Sequence, residues 1–186
     1  FAAAVVTALA IDPFDGALFV AHGDTAANRI GRMRPGDGYV ADDGVITFDP
    51  VTPGAAIEAL AFDPTGVLYG LESLGAGAGM RLWEIDPKVP SATLVGTTDP
   101  ALSEYDDMAF LGGALWIGRG GTGEMAQISL ADASTISTQT LGLATLTGIA
   151  PRLCAQPSAP LSVFDEPLDG GEVIRVDWSG FQAPPN

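Results

Sequence analysis

Cysteine, lysine and histidine each occur once in this chain of 186 residues, as Cys154, Lys88 and His22. One cysteine cannot close an internal disulfide or supply a cysteine-rich zinc site, so Cys154 reads as a small buried hydrophobe. Basic residues are scarce altogether: eight Lys plus Arg face 23 Asp plus Glu, for a net charge of −15. A surface of that sign repels phosphate. Nucleic-acid affinity comes largely from Lys and Arg neutralising phosphates, so nucleic acid is excluded as a partner, and the charge serves solubility and attracts cations. Long apolar runs are missing too. Although 47% of the residues are apolar, Gly, Pro or Asp interrupts every run well before the roughly 18 residues of a membrane span, so no span is expected. The opening Phe1-Ala-Ala-Ala-Val-Val6 is too short for a signal peptide and reads equally as a signal remnant or a strand lead-in. Acidity, 24 glycines and the near absence of lysine point to a secreted or cell-surface protein.

What the sequence does have is a repeat. Thr7-Ala-Leu-Ala-Ile-Asp-Pro13 returns as Glu58-Ala-Leu-Ala-Phe-Asp-Pro64, then as Asp107-Met-Ala-Phe110, and faintly as Gly148-Ile-Ala-Pro151. With Ala10, Ala61, Ala109 and Ala150 as equivalents the spacings are 51, 48 and 41 residues, near the roughly 40 to 50 of propeller blades. A second segment follows each time: Ala17-Leu-Phe-Val20, Val67-Leu-Tyr-Gly70 and Ala114-Leu-Trp-Ile117. The linkers Asp12-Pro-Phe-Asp-Gly16, Asp63-Pro-Thr-Gly66 and Leu111-Gly-Gly113 carry hairpin turn chemistry, so the first two segments of each repeat pair as a hairpin. The third segment is Ile30 to Pro35, Leu82 to Pro87, Met125 to Leu130 and Val173 to Trp178; the fourth is Val45-Ile-Thr-Phe48, Ala92 to Gly96 and Ser137 to Leu141, rich in Thr, Val and Ile as an outer strand is.

The first segment places small residues on one face (Ala8, Ala10; Ala59, Ala61) and large ones on the other (Leu9, Ile11; Leu60, Phe62). An inner strand squeezed between neighbouring sheets needs both faces apolar and one of them thin. A sandwich strand with one wet face alternates apolar with polar instead. The run from Leu60 to Gly96, with its Asp-Pro-x-Gly, Leu-Tyr, Leu-Trp-x-Ile-Asp-Pro and Ala-Thr-Leu-Val-Gly, resembles secreted bacterial β-propeller repeat proteins of the broad NHL and YVTN-like group. That resemblance covers residues 5 to 143 and implies fold and export; it carries no catalytic residues. The expected fold is an all-β propeller of four-stranded antiparallel blades. Three are clear, at about 5–50, 56–98 and 105–143, and a degenerate or incomplete fourth lies at about 146–186, all in one propeller region.

The fourth copy runs into Pro151, replaces its hairpin with Cys154-Ala-Gln-Pro-Ser-Ala-Pro160 and ends at Pro184-Pro185 without a fourth strand. Two outcomes follow: the chain is a fragment of a larger ring, or a partner chain completes the sheet by strand addition. Ligands are expected on the rim formed by the loops between strands two and three and after strand four. The rim candidates for binding are His22, Asp24, Glu72, Arg119, Glu124 and Asp165. Rim carboxylates are also the donors a Ca²⁺ ion takes, but no segment has calcium-loop spacing, and Asp37, Asp42 and Asp43 read as a solvated turn, so no cofactor is expected. Gly75 to Gly79 and Gly118 to Gly123 do not open helices, and no lysine stands in a Walker position, so they are inter-strand loops and not phosphate cradles. His22 has no sequence-evident catalytic partner, and Trp83, Trp116 and Trp178 sit where blades pack.

The leading reading is a non-enzymatic extracellular interaction or scaffold protein that binds a protein or glycan through a rim or an open blade edge. The alternatives are a carboxylate-based, cation-dependent hydrolase or lyase, and a self-assembling surface or filament subunit that pairs with copies of itself.

Overall fold

The computed structural model describes residues 5–24, 27–34, 38–142, 146, 148–149, 165–168 and 171–174. The chain divides into two compact units, Phe1–Pro151 and Arg152–Asn186. The described residues are all-β, with one short 3-10 turn at Pro100–Leu102 started by the Asp99 side chain.

In the first unit β1 (Val6–Ile11), β2 (Leu18–Asp24), β3 (Ala27–Met33) and β4 (Val40–Val45) form an antiparallel meander in that order. β5 (Thr47–Asp49) follows. A second meander joins β6 (Ile57–Phe62), β7 (Leu68–Ser73), β8 (Met80–Asp86) and β9 (Ser91–Thr97), and a third joins β10 (Asp107–Leu111), β11 (Ala114–Arg119), β12 (Glu124–Ile128) and β13 (Thr135–Thr140). In the second unit β14 (Asp165–Leu168) and β15 (Gly171–Ile174) pair antiparallel. The expected segments Cys154 to Pro160 and Arg175 to Trp178 lie outside the described residues.

The three hairpins form where the turn chemistry put them. Asp63 Oδ1 accepts from the Thr65 and Val67 amides and the Thr65 hydroxyl, closing the loop between β6 and β7. Between β10 and β11 the two-residue turn Gly112-Gly113 has φ of 59° and 80°, values that β-carbons oppose.

Register places Phe19 opposite Ala10, Tyr69 opposite Ala61 and Trp116 opposite Ala109, so the repeats superpose rung by rung. The first strands lie side by side with β6 in the middle. One core holds the small-residue face of the first sheet (Ala8, Ala10, Phe19, Ala21) against the large-residue face of the second (Leu60, Phe62, Leu68, Trp83). The other repeats the arrangement one sheet on: Ala59, Ala61, Tyr69 and Leu71 against Met108, Phe110, Leu115 and Ile117. Phe19 meets Phe62 at 5.4 Å between ring centroids, and Tyr69 meets Phe110 at 5.6 Å, the same contact made twice. Each fully buried Leu or Phe contributes about 1.5–3 kcal/mol, so these faces hold the sheets together. Beyond the third sheet Ile149 and Leu146 approach Gly118 so closely that a β-carbon there would stand 2.8 Å from each.

Three expectations need correction. Val45 to Phe48 is not the outer strand of the first repeat. β4 takes that place, and the chain turns at Ile46, whose amide donates to Asn28 O, so that β5 joins the second sheet parallel to β9. Phe48 is drawn there by Trp83, which it meets edge-to-face at 4.9 Å. Asp42 and Asp43 are not in a solvated turn; they lie in β4, where Arg29 and Arg32 on β3 pair with them. Asp37 lies outside the described residues. Finally, β1 is not buried on both faces: Val6, Leu9 and Ile11 are 41%, 55% and 43% exposed, whereas Ile57, Leu60 and Phe62 at the same positions of β6 are 0%, 4% and 9% exposed.

Candidate binding rim

Four of the expected rim residues fall on one rung. His22 faces Arg29, Glu72 faces Arg81, and Arg119 faces Glu124, each pair at the outer end of the hairpin between second and third strands. Strand alternation fixes this: each lies three residues beyond the aromatic that opposes the inner alanine. The polarity reverses along the row, with acid before base in the second sheet and base before acid in the third.

Glu72 is the anchor. Its carboxylate is fully buried and accepts from the Gly54 amide at 2.6 Å, the Ala55 amide at 3.2 Å and the Trp83 indole N–H at 3.0 Å, with Arg81 Nη1 at 3.5 Å. A buried carboxylate is tolerable only with such a set of partners. Asn28, also buried, grips the same linker from the first sheet: it donates to Ala55 O and accepts from the Ile57 amide. The linker is thus pinned from both sides.

In the third sheet Arg119 pairs with Glu104 at 2.7 Å and Glu124 at 3.5 Å, and the Glu104 bond foremost raises its guanidinium above the usual value. Glu104 has φ of +70°, a conformation a side chain resists. His22 differs from both. It is 7% exposed and neither ring nitrogen is hydrogen-bonded, with Nε2 3.7 Å from Asp42 Oδ1. Asp42 is instead engaged by Arg29, whose hydrogen bond chiefly holds that carboxyl below its ordinary range. Asp24 ends β2 opposite Ala27, and Asp165 begins β14 opposite Ile174 in the second unit.

Between the pinned linker and the loop after β7 lies a cleft of about 410 Å³, lined by Thr52 and Gly54 on one side, Ser73 and Gly75 on the other, with Glu58 and Arg81 at its charged positions. Glu58 occupies a bulge in β6, equivalent to Thr7 in β1. Burial, then the nearby charges of Asp106 and Glu72, pushes its carboxyl up. Asp107 is pushed up by burial as well, against the amide hydrogen bonds of Ile149 and Met108. Among the described residues no three His, Cys, Asp or Glu side chains are grouped to hold a metal ion, and no helix is long and apolar enough to cross a membrane.

Sequence reasoning missed Glu58, Arg81, Ser73 and Asn28. Glu58 was legible as the one acid in an apolar inner strand. Arg81 was legible once the hairpin register is counted across from Glu72.

No family model matches the chain, and no curated protein does. Solved structures do. A protein of unknown function from Bacteroides caccae matches with 19% identity and a TM-score of 0.51, over 76% of this chain and 48% of its own. Hydrazine synthase of Kuenenia stuttgartiensis matches with 13% identity and a TM-score of 0.47, over 72% and 36%. A structure described as YCF48 bound to D1 peptide matches with 15% identity and a TM-score of 0.45, over 70% and 38%. The chain therefore spans about half the length of the Bacteroides caccae protein. At such identities the likeness is one of fold, an all-β chain of propeller-like antiparallel sheets.

Proposed function

We propose that this chain is a non-enzymatic extracellular binding protein, built of four-stranded propeller blades related to the NHL and YVTN-like group, whose rim cleft holds a polar group presented by a protein or glycan. Three blades correspond to the three meanders and a fourth to the last repeat. The observation that carries the reading is the cleft beside Glu58 and Arg81, set between a linker pinned by two buried side chains and a strand end. A rigid frame with a few polar groups suits recognition. The neighbouring charges favour binding over hydrolysis, because Glu72, Glu104 and Glu124 are engaged by backbone amides, indole or arginine.

Glycan and peptide arrays probed with the purified chain test this. Retained glycan or peptide features are expected to weaken about tenfold or more in Glu58→Gln and Ser73→Ala, as for lost polar contacts in a defined site. Arg81 is left intact because it also supports Glu72. Binding that both variants retain in full would remove the cleft from the account.

A further inference from the structure

Glu72, Glu104 and Glu124 on this rim each face an arginine. Glu58 does not: among the described residues its carboxylate has neither hydrogen bond nor ion pair. It stands in the bulge of β6, at the wall of the cleft of about 410 Å³. Its charged neighbours Asp106 and Glu72 carry its own sign and, after burial, push its carboxyl up. Arg81, the base of the cleft, is held 3.5 Å from the buried Glu72 carboxylate, which answers its charge. The Glu58 carboxylate is thus left over in the local balance.

An unanswered carboxylate in a concave, partly desolvated site selects a cation. What else lines the cleft decides which cation. Ser73 Oγ accepts from the Gly75 amide at 3.2 Å and retains a second lone pair, and the Thr52 hydroxyl lies on the facing wall. One carboxylate and two hydroxyls complement the N–H donors of a primary ammonium. A guanidinium is a planar fork that stacks on aromatic faces, and no aromatic side chain lines this cleft. A calcium ion takes about six to eight oxygen ligands, and among the described residues no three His, Cys, Asp or Glu side chains group to begin such a shell. Ala55 and Leu74 add apolar wall against which a methylene stem can lie. The net charge of −15 draws cationic partners from a distance.

We propose that the cleft binds a primary ammonium group of a protein partner, seated on the Glu58 carboxylate with the Ser73 and Thr52 hydroxyls beside it. The proposal rests on the cleft being this chain's binding site, and narrows its ligand from a polar group to a cation. A lysine side chain and a free chain N-terminus both carry that group.

A peptide array prepared unmodified, lysine-acetylated, N-terminally acetylated and doubly acetylated separates the two. Acetylation of the seated amine is expected to weaken binding about tenfold or more, as the loss of a charge-assisted hydrogen bond does. In Glu58→Gln the same acetylation is expected to cost little further, because its partner is already gone. A loss on lysine acetylation assigns the side chain and a loss on N-terminal acetylation the terminus; either bears the proposal out. Binding indifferent to double acetylation, yet weakened in Glu58→Gln and Ser73→Ala, keeps the cleft and overturns the ammonium. Amine-dependent binding that neither variant weakens removes the cleft and the proposal with it. Amide shifts of the labelled chain titrated with n-butylammonium chloride test the group apart from any peptide sequence. Saturable shifts at Gly54, Ser73 and Gly75 are expected, absent with N-butylacetamide and absent in Glu58→Gln. No such shifts at high millimolar n-butylammonium, or the same shifts produced by calcium chloride at lower concentration, would overturn the proposal.

Discussion

The first and second sheets begin with nearly the same inner strand, Ala-Leu-Ala-Ile against Ala-Leu-Ala-Phe, yet one shows its large residues to solvent and the other buries them. Their rims differ in the same sense, since Glu72 is fully satisfied and His22 is not. Nearly identical local sequence thus has different energetic weight according to what lies beside it. An inner strand of this repeat is a two-sided adhesive; β6 and β10 are buried on both sides, and β1 on one.

The largest expected effect tests that difference directly. Trp83→Ala empties the middle of the second sheet's large-residue face and removes a hydrogen bond to Glu72, so it is expected to cost about 3–5 kcal/mol, read as a lower urea midpoint. Ile11→Ala, on the exposed counterpart face, is expected to cost under about 1 kcal/mol in dilute protein. Equal losses would mean that the two faces are equally buried in solution. Next in size is the rung pair. Glu72→Gln breaks a buried ion pair and disturbs three donors, for about 3 kcal/mol, whereas His22→Leu removes an unpartnered imidazole and is expected to be neutral or stabilising in the same measurement.

A smaller and more selective contrast lies in pH dependence. Asp42, lowered chiefly by its hydrogen bond from Arg29, stabilises the fold above the unfolded-chain value, and that contribution is lost as pH falls through the lowered one. Glu58, raised chiefly by burial, acts oppositely: the fold loses stability as pH rises from the ordinary glutamate range through the raised value. Urea midpoints measured from pH ~3 to ~8 should therefore show Asp42→Asn destabilised at neutral pH with a shallower acid limb. Glu58→Gln should instead gain stability at the alkaline end. Both are modest effects, since both groups are partly solvated.

The repeat, the hairpins and the aromatic rungs were legible because each is local: Gly and Pro at fixed offsets, and apolar residues alternating along a strand. Trp83 read correctly as a packing residue for the same reason. Val45 to Phe48 misled because a Thr and Val-rich stretch suits any edge strand, and the choice between two sheets was made by Trp83, some 35 residues later in the chain. Asn28 gave no signal, since a buried asparagine that binds the Ala55 carbonyl and the Ile57 amide looks like any polar residue near a loop. Nor could the exposure of Leu9 and Ile11 be read, because what covers a strand is not written in the strand. His22, Glu72, Arg119 and Glu124 were nameable as rim residues, but their common rung follows only from register.

The parallel pairing of β5 with β9 changes what counts as a module. The second sheet is completed by residues that precede its own first strand, so its five strands span Thr47 to Thr97 and interleave with the connection from the first sheet. A cut after Ile46 leaves both sheets whole. A cut between Asp49 and Ile57, where the repeat would seem to begin, strips Phe48 from Trp83 and leaves the backbone of Ser91 to Thr93 bare. Anyone grafting, duplicating or trimming this repeat should take Thr47, and not Ile57, as its first residue.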